Sequence, residues 1–173
     1  MTTPPTGQDH APLLSTAWGE RPPIVNGMLN PALISTLLVS AADSYTRQTQ
    51  EGMPWALSFI AAPLALHRGT RQALPATSRT HLSNWVSMHP ILRAGFPGRA
   101  QALVAPVRAG LRFSLRHHIL RLDGDRLRVQ LQLRKVEPQY AELDDILSHA
   151  RLLGRWLSTV DTATTFALLG VGP

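Results

Sequence analysis

The stretch Asn30–Pro75, NPALISTLLVSAADSYTRQTQEGMPWALSFIAAPLALHRGTRQALP, decides how the chain must fold. Asn30 offers a side-chain oxygen for an N-cap, and Pro31 is the proline that suits a first helical turn, where its missing N–H is not needed. Leu33, Ile34, Leu37, Leu38, Ala41 and Tyr45 then recur on one helical face until Gly52, which predicts an amphipathic helix. From Met53 to Leu66 the chain is almost wholly apolar for 14 residues, too short to span a bilayer and interrupted by Pro63. A buried core helix is expected there, with Pro54 in its first turn and Pro63 kinking or ending it, because a mid-helix proline removes one backbone hydrogen bond and crowds the preceding turn.

Outward from this stretch the patterning is simple. Residues 1–23 are rich in Pro and Thr, show no sustained period and read as an extended N-terminal arm; residues 24–173 read as one domain, a size that suits a single core. A third helix is expected from about Thr77, with Leu82, Trp85, Val86 and His89 on one face and Pro90 beyond its end. A fourth helical region begins near Pro97, bends at Pro106 and ends around His118. Next comes HILRLDGDRLRVQLQLR, in which Leu127, Val129, Leu131 and Leu133 alternate with Arg126, Arg128, Gln130 and Gln132. That two-residue period predicts a β-hairpin at about 119–134, turning at Asp123 and Gly124. After Pro138, Leu143, Ile146, Leu147, Ala150, Leu153 and Leu157 define another amphipathic helix, and Asp161 caps a short last one ended by Gly170. The expected fold is mainly α with a small β-hairpin, in the helix-then-hairpin order of a winged helix.

The charge is unevenly placed. Between Glu51 and Asp123 there is no carboxylate, yet that interval holds nine arginines and five of the seven histidines. Arg108, Arg112, Arg116, Arg121, Arg126 and Arg128 fall on or near the fourth helix and the hairpin, a placement suited to nucleic acid or an acidic protein surface. A solvated arginine-rich surface is the plainer alternative, and the single lysine, Lys135, fits it.

Catalytic signatures are missing from the sequence: there is no G-x-x-x-x-G-K-[ST] loop, no H-E-x-x-H helix and no G-x-S-x-G elbow. With no cysteine there is neither a thiolate nucleophile nor a Cys-ligated metal. His117 and His118 diverge by about 100 degrees on a helix and do not easily share one metal. No catalytic residue, metal or cofactor is expected. The amino terminus lacks a basic region followed by an apolar run, so no secretory signal is read, no membrane partner is expected, and the protein is expected to be cytoplasmic.

Several ordered motifs then converge: NPAL, G-MP-W-LSFIAAPLALH, TRQALP, T-LSNW, HP-L-AGFPGRAQALVAPVRAGLRF and the closing TTFALLGVGP. Over Asn30–Pro173 this pattern resembles the middle component of three-component ABC systems, the Lamassu-like bacterial defence operons. The resemblance implies a small non-catalytic subunit, cytoplasmic and bacterial, bridging an SMC- or Rad50-like ABC ATPase and an effector, often a nuclease, in antiviral or anti-plasmid defence. DNA would be reached through the complex. It places His67, Thr70 and Arg71 in a loop facing a partner. Arg71 capping its own helix is the structural alternative. The other functional reading is a free-standing winged-helix DNA-binding protein, and a third is an adaptor that touches no DNA.

Overall fold

A computed structural model describes residues 29–131 and 140–172; the expected arm at 1–23 and the end of the hairpin at 132–134 lie outside the described residues. The fold is mainly helical with a small antiparallel sheet. The first helix, α1 (Pro31–Thr49), begins as its sequence dictates: the Asn30 side chain accepts from the Ala32 amide at 2.8 Å, with Pro31 in the first turn. It is buried on more than one side, through Ile34, Leu37, Leu38, Ala41 and Ala42 but also Ser35, Val39, Ser40 and Ser44. A helix enclosed in this way is the axis of the domain, and the two longest other helices, α6 (Phe96–Arg116) and α7 (Ala141–Leu157), pack along it.

Small residues permit that packing. A side chain at Gly110 of α6 would run into Ile34 and the Ser35 amide, and one at Gly154 of α7 into the Ala41 carbonyl. Where α6 crosses α1, the Oγ atoms of Ser114 and Ser35 lie 2.7 Å apart, with the Gly110 carbonyl 2.9 Å from Ser114 Oγ, so the two buried hydroxyls are hydrogen-bonded at the contact.

The apolar run after α1 divides into three pieces. Met53–Pro54 forms a short strand, β1; Trp55–Leu57 is a 3₁₀ turn; and Ser58–Leu66 is the buried helix α2, with Leu57, Ile60, Ala61, Ala62 and Leu64 at the centre of the core. Each fully buried large aliphatic side chain contributes about 1.5–3 kcal/mol against exposure. Pro54 therefore lies in a strand and not in the first turn of the helix: β1 pairs with the hairpin, Met53 opposite Leu127 and Pro54 opposite Arg126, at a sheet edge where proline's missing donor is tolerated. Pro63 sits inside α2, which ends three residues later at Leu66.

Arg68–Ala73, expected as loop, is the short helix α3, and the third predicted helix starts at Leu82 as α4 (Leu82–Met88), followed by α5 (Pro90–Ala94). Two indoles hold the connection between α3 and α4: Trp85 Nε1 donates to the Ala73 carbonyl at 2.7 Å and Trp156 Nε1 to the Thr80 carbonyl at 2.5 Å, the two rings meeting edge to face at 5.5 Å. Strands β2 (Leu120–Asp123) and β3 (Arg126–Val129) form the expected hairpin, with sheet order β1-β3-β2. Its two-residue loop is Gly124–Asp125, with Gly124 at φ 60°, the position a type II′ turn reserves for glycine. The alternation stops early: Leu127 is buried, but Leu131 is exposed beyond the end of β3. Asp161 accepts from the Thr164 amide at 2.9 Å to start α8 (Thr162–Leu169), and Gly170, at φ 72°, ends it.

Candidate functional site

His67 ends α2 and caps α3. Its Nδ1 accepts the Thr70 amide at 3.0 Å and lies 2.8 Å from Thr70 Oγ1, which leaves the ring proton on Nε2. Burial, then Arg99, then Arg71 hold this imidazole below its ordinary pKa, so the neutral ring is favoured. Thr70 is fully buried. Arg71 is buried too and points into the molecule: Nη1 donates to the carbonyls of Ala65 at 2.8 Å and Leu66 at 3.0 Å, Nε to Asp145 at 2.6 Å, and Nη2 to Glu142. The guanidinium thus closes the last turn of α2 and ties it to the first turn of α7. Of the three residues expected to face a partner, the structure brings only His67 to the surface. Arg71 does bind helix-end carbonyls, but they are those of α2, the helix before the one in which it lies, α3.

The six basic residues singled out on α6 and the hairpin separate into two groups. Arg108, Arg112 and Arg116 are exposed at four-residue intervals, about 6 Å apart along the axis. Among the described residues none has a carboxylate within ion-pair distance. The hairpin arginines do. Arg126 meets Glu51 at 2.9 Å, and Arg128 and Arg121, directly opposed across the strands, share Asp123 at 3.0 and 3.8 Å. The carboxylate-free interval is therefore neutralised in part from its flanks, by Asp123 at Arg121 and by Glu142 and Asp145 at Arg71. These partners sit at the edges of the interval or some 70 residues away, so the local sequence carried little signal of them.

Two clefts flank α6. One, of about 350 Å³, lies where α6 ends beside the start of α1, between Pro31, Ala109, Arg112, Phe113, Arg116 and His117, with the Phe113 and His117 rings 4.4 Å apart. The other, of about 250 Å³, lies between α2 and the first half of α6 and includes His67 and Arg99. Neither Phe113 nor Arg99 stood out in the sequence, because each reads there as an ordinary helix residue. Among the described residues, no three His, Asp or Glu side chains converge as metal ligands would.

The family model for the ABC-three component (ABC-3C) system Middle Component 3 matches residues 18–173, all but the first 17 positions. The chain belongs to the Middle Component 3 family. Comparison with curated proteins and with solved structures finds no match. As a Middle Component 3 protein it works alongside the other components of an ABC-3C system. Among the described residues of this middle component, no helix is long and apolar enough to cross a membrane.

Proposed function

We propose that this middle component is a non-catalytic bridging subunit, coupling an SMC- or Rad50-like ABC ATPase to an effector nuclease in a Lamassu-like defence system against phage or plasmid DNA, in the cytoplasm. The observation that carries the reading, beyond family membership, is the row Arg108, Arg112, Arg116 on α6, exposed and without carboxylate partners among the described residues. Such a row attracts a polyanion, and the aromatic cleft at Phe113 beside it offers a face on which a base can stack. DNA held beside the ATPase is the proposed occupant, with Arg121, Arg126 and Arg128 of the hairpin lending weaker support because each already has a carboxylate neighbour. The α2–α3 corner is the proposed contact to another subunit: His67 lies at its surface, and Thr70 and Arg71 hold it from within.

Reversing all three α6 arginines (R108E, R112E, R116E) tests this. DNA affinity at low salt is expected to fall by two orders of magnitude or more, at about tenfold per lost charged contact, while the variant still assembles with the ATPase. Loss of assembly with DNA binding unchanged would mean that the row meets an acidic protein surface instead. A free-standing DNA-binding protein with a winged-helix arrangement is the second reading, favoured by the hairpin that follows α6 directly, where the Ile119 amide donates to the Ser114 carbonyl at 2.9 Å. It requires the chain to bind DNA tightly and to function without the other components.

A further inference from the structure

The cleft between α2 and α6 is built differently from its neighbour. Its walls are Leu29, Pro63, Leu66 and Leu103, and its polar groups are His67 and Arg99. Both offer N–H groups, and among the described residues neither finds an acceptor for all of them. Arg99 Nη2 donates to the Leu92 carbonyl at 2.7 Å, but its Nε is buried with no hydrogen-bond partner among the described residues. His67 spends Nδ1 on Thr70, so its Nε2–H is the donor left over. Arg71, a few residues from His67, shows what a satisfied arginine looks like in this protein, with two carboxylates and two carbonyls around one guanidinium. Arg99 is partly buried, and burial lowers its pKa, yet no carboxylate among the described residues comes within ion-pair distance of it. A partly buried cation beside apolar walls and without a counter-charge is costly, and an acidic group in the cleft would supply that charge.

We propose that this cleft binds a carboxylate carried on an aliphatic body, and that the occupant is an acidic side chain beside an aliphatic residue on another component of the three-component system. One guanidinium and one neutral imidazole N–H match a single negative charge with two acceptor oxygens, whereas a phosphate would bring more charge and more acceptors than the cleft can answer. The leucine and proline walls take the aliphatic part. The occupant, though not the carboxylate site itself, rests on the reading of the α2–α3 corner as a subunit contact.

Isocaproate and its uncharged isostere isocaproamide, titrated into the wild-type chain and followed by side-chain nitrogen NMR, test the site. Isocaproate is expected to give saturable shifts at His67 and Arg99 and isocaproamide none. An equal response to the amide, or no saturable response to the acid, overturns the proposal without recourse to any variant. Arg99→Gln, checked for folding by circular dichroism, is expected to weaken isocaproate binding by about tenfold or more, and Arg99→Lys by less. Co-purification with the other components is expected to fall with Arg99→Gln, and isocaproate is expected to compete with it. If Arg99→Gln assembles as wild type, the partner as occupant is overturned. If the wild-type chain binds isocaproate but no component co-purifies, the bridging function fails while the carboxylate site stands.

Discussion

Arg71 draws together more of the structure than any other single charged side chain described. Its buried guanidinium terminates α2 and joins that helix to Glu142 and Asp145 at the start of α7. Replacing it by Met leaves two helix-end carbonyls without donors, whereas the carboxylates, 59% and 44% exposed, regain water; a loss of about 3 kcal/mol is expected, at the lower end for a broken buried pair. Urea unfolding measures it, and an unchanged midpoint would show that the bridge contributes nothing. Glu142→Gln with Asp145→Asn should cost more than either change alone, since the buried cation then keeps only neutral acceptors and no counter-charge. His67 adds a pH dependence. Its folded pKa lies below the ordinary imidazole value of 6.5, so as pH falls through that value the unfolded chain takes up a proton that the folded chain refuses. Stability from this group is therefore full above 6.5 and declines below it until the folded pKa is passed. An imidazole titration of the folded protein with its midpoint at or above 6.5 would contradict this reading.

At the scale of elements, α1 is held from two sides by helices that approach it through glycine. In a helix interior, Gly→Ala ordinarily stabilises by about 1 kcal/mol. Gly154 should reverse that sign: the added methyl would meet the Ala41 backbone carbonyl, which has no rotamer with which to yield. Gly154→Ala is expected to destabilise by about 2–3 kcal/mol through overpacking. Gly98, in the first turn of α6 with no described residue near its missing side chain, is the control, and Gly98→Ala should be neutral or stabilising. Thermal unfolding of the two variants decides the matter, and equal behaviour would mean that α7 can back away from α1 freely.

Across the whole molecule, the positive character of the middle of the chain is redistributed by the fold. Arg71, Arg121, Arg126 and Arg128 find carboxylates, and Arg93 and Arg99 donate to the carbonyls of Leu168 and Leu92, which leaves the α6 row as the clearest concentration of exposed positive charge among the described residues. If DNA lies on that row through three phosphates, the logarithm of the binding constant should fall with the logarithm of salt concentration at a slope of about −3 for duplex and about −2 for a single strand. A slope near zero with wild-type affinity would exclude a phosphate contact. Phe113→Ala separates the two further, weakening a single strand that stacks in the cleft while leaving duplex binding little changed.

The sequence by itself determined the features that depend on neighbours within a turn or two. The caps at Asn30 and Asp161, the stop at Gly170, the apolar faces of α1, α6 and α7, and the hairpin with its glycine turn are all of this kind. Tertiary structure decided the rest. Met53–Pro54 is a strand only because β3 lies beside it, and α3 forms where His67 can cap it and Trp85 can grip its end. Arg71 turned inward because Glu142 and Asp145, 71 and 74 residues further on, arrive beside it. His67 and Arg99 share a cleft for the same reason. Hydrogen bonds and ion pairs between distant residues become favourable only after packing has excluded water and fixed their geometry, and that information belongs to the fold as a whole.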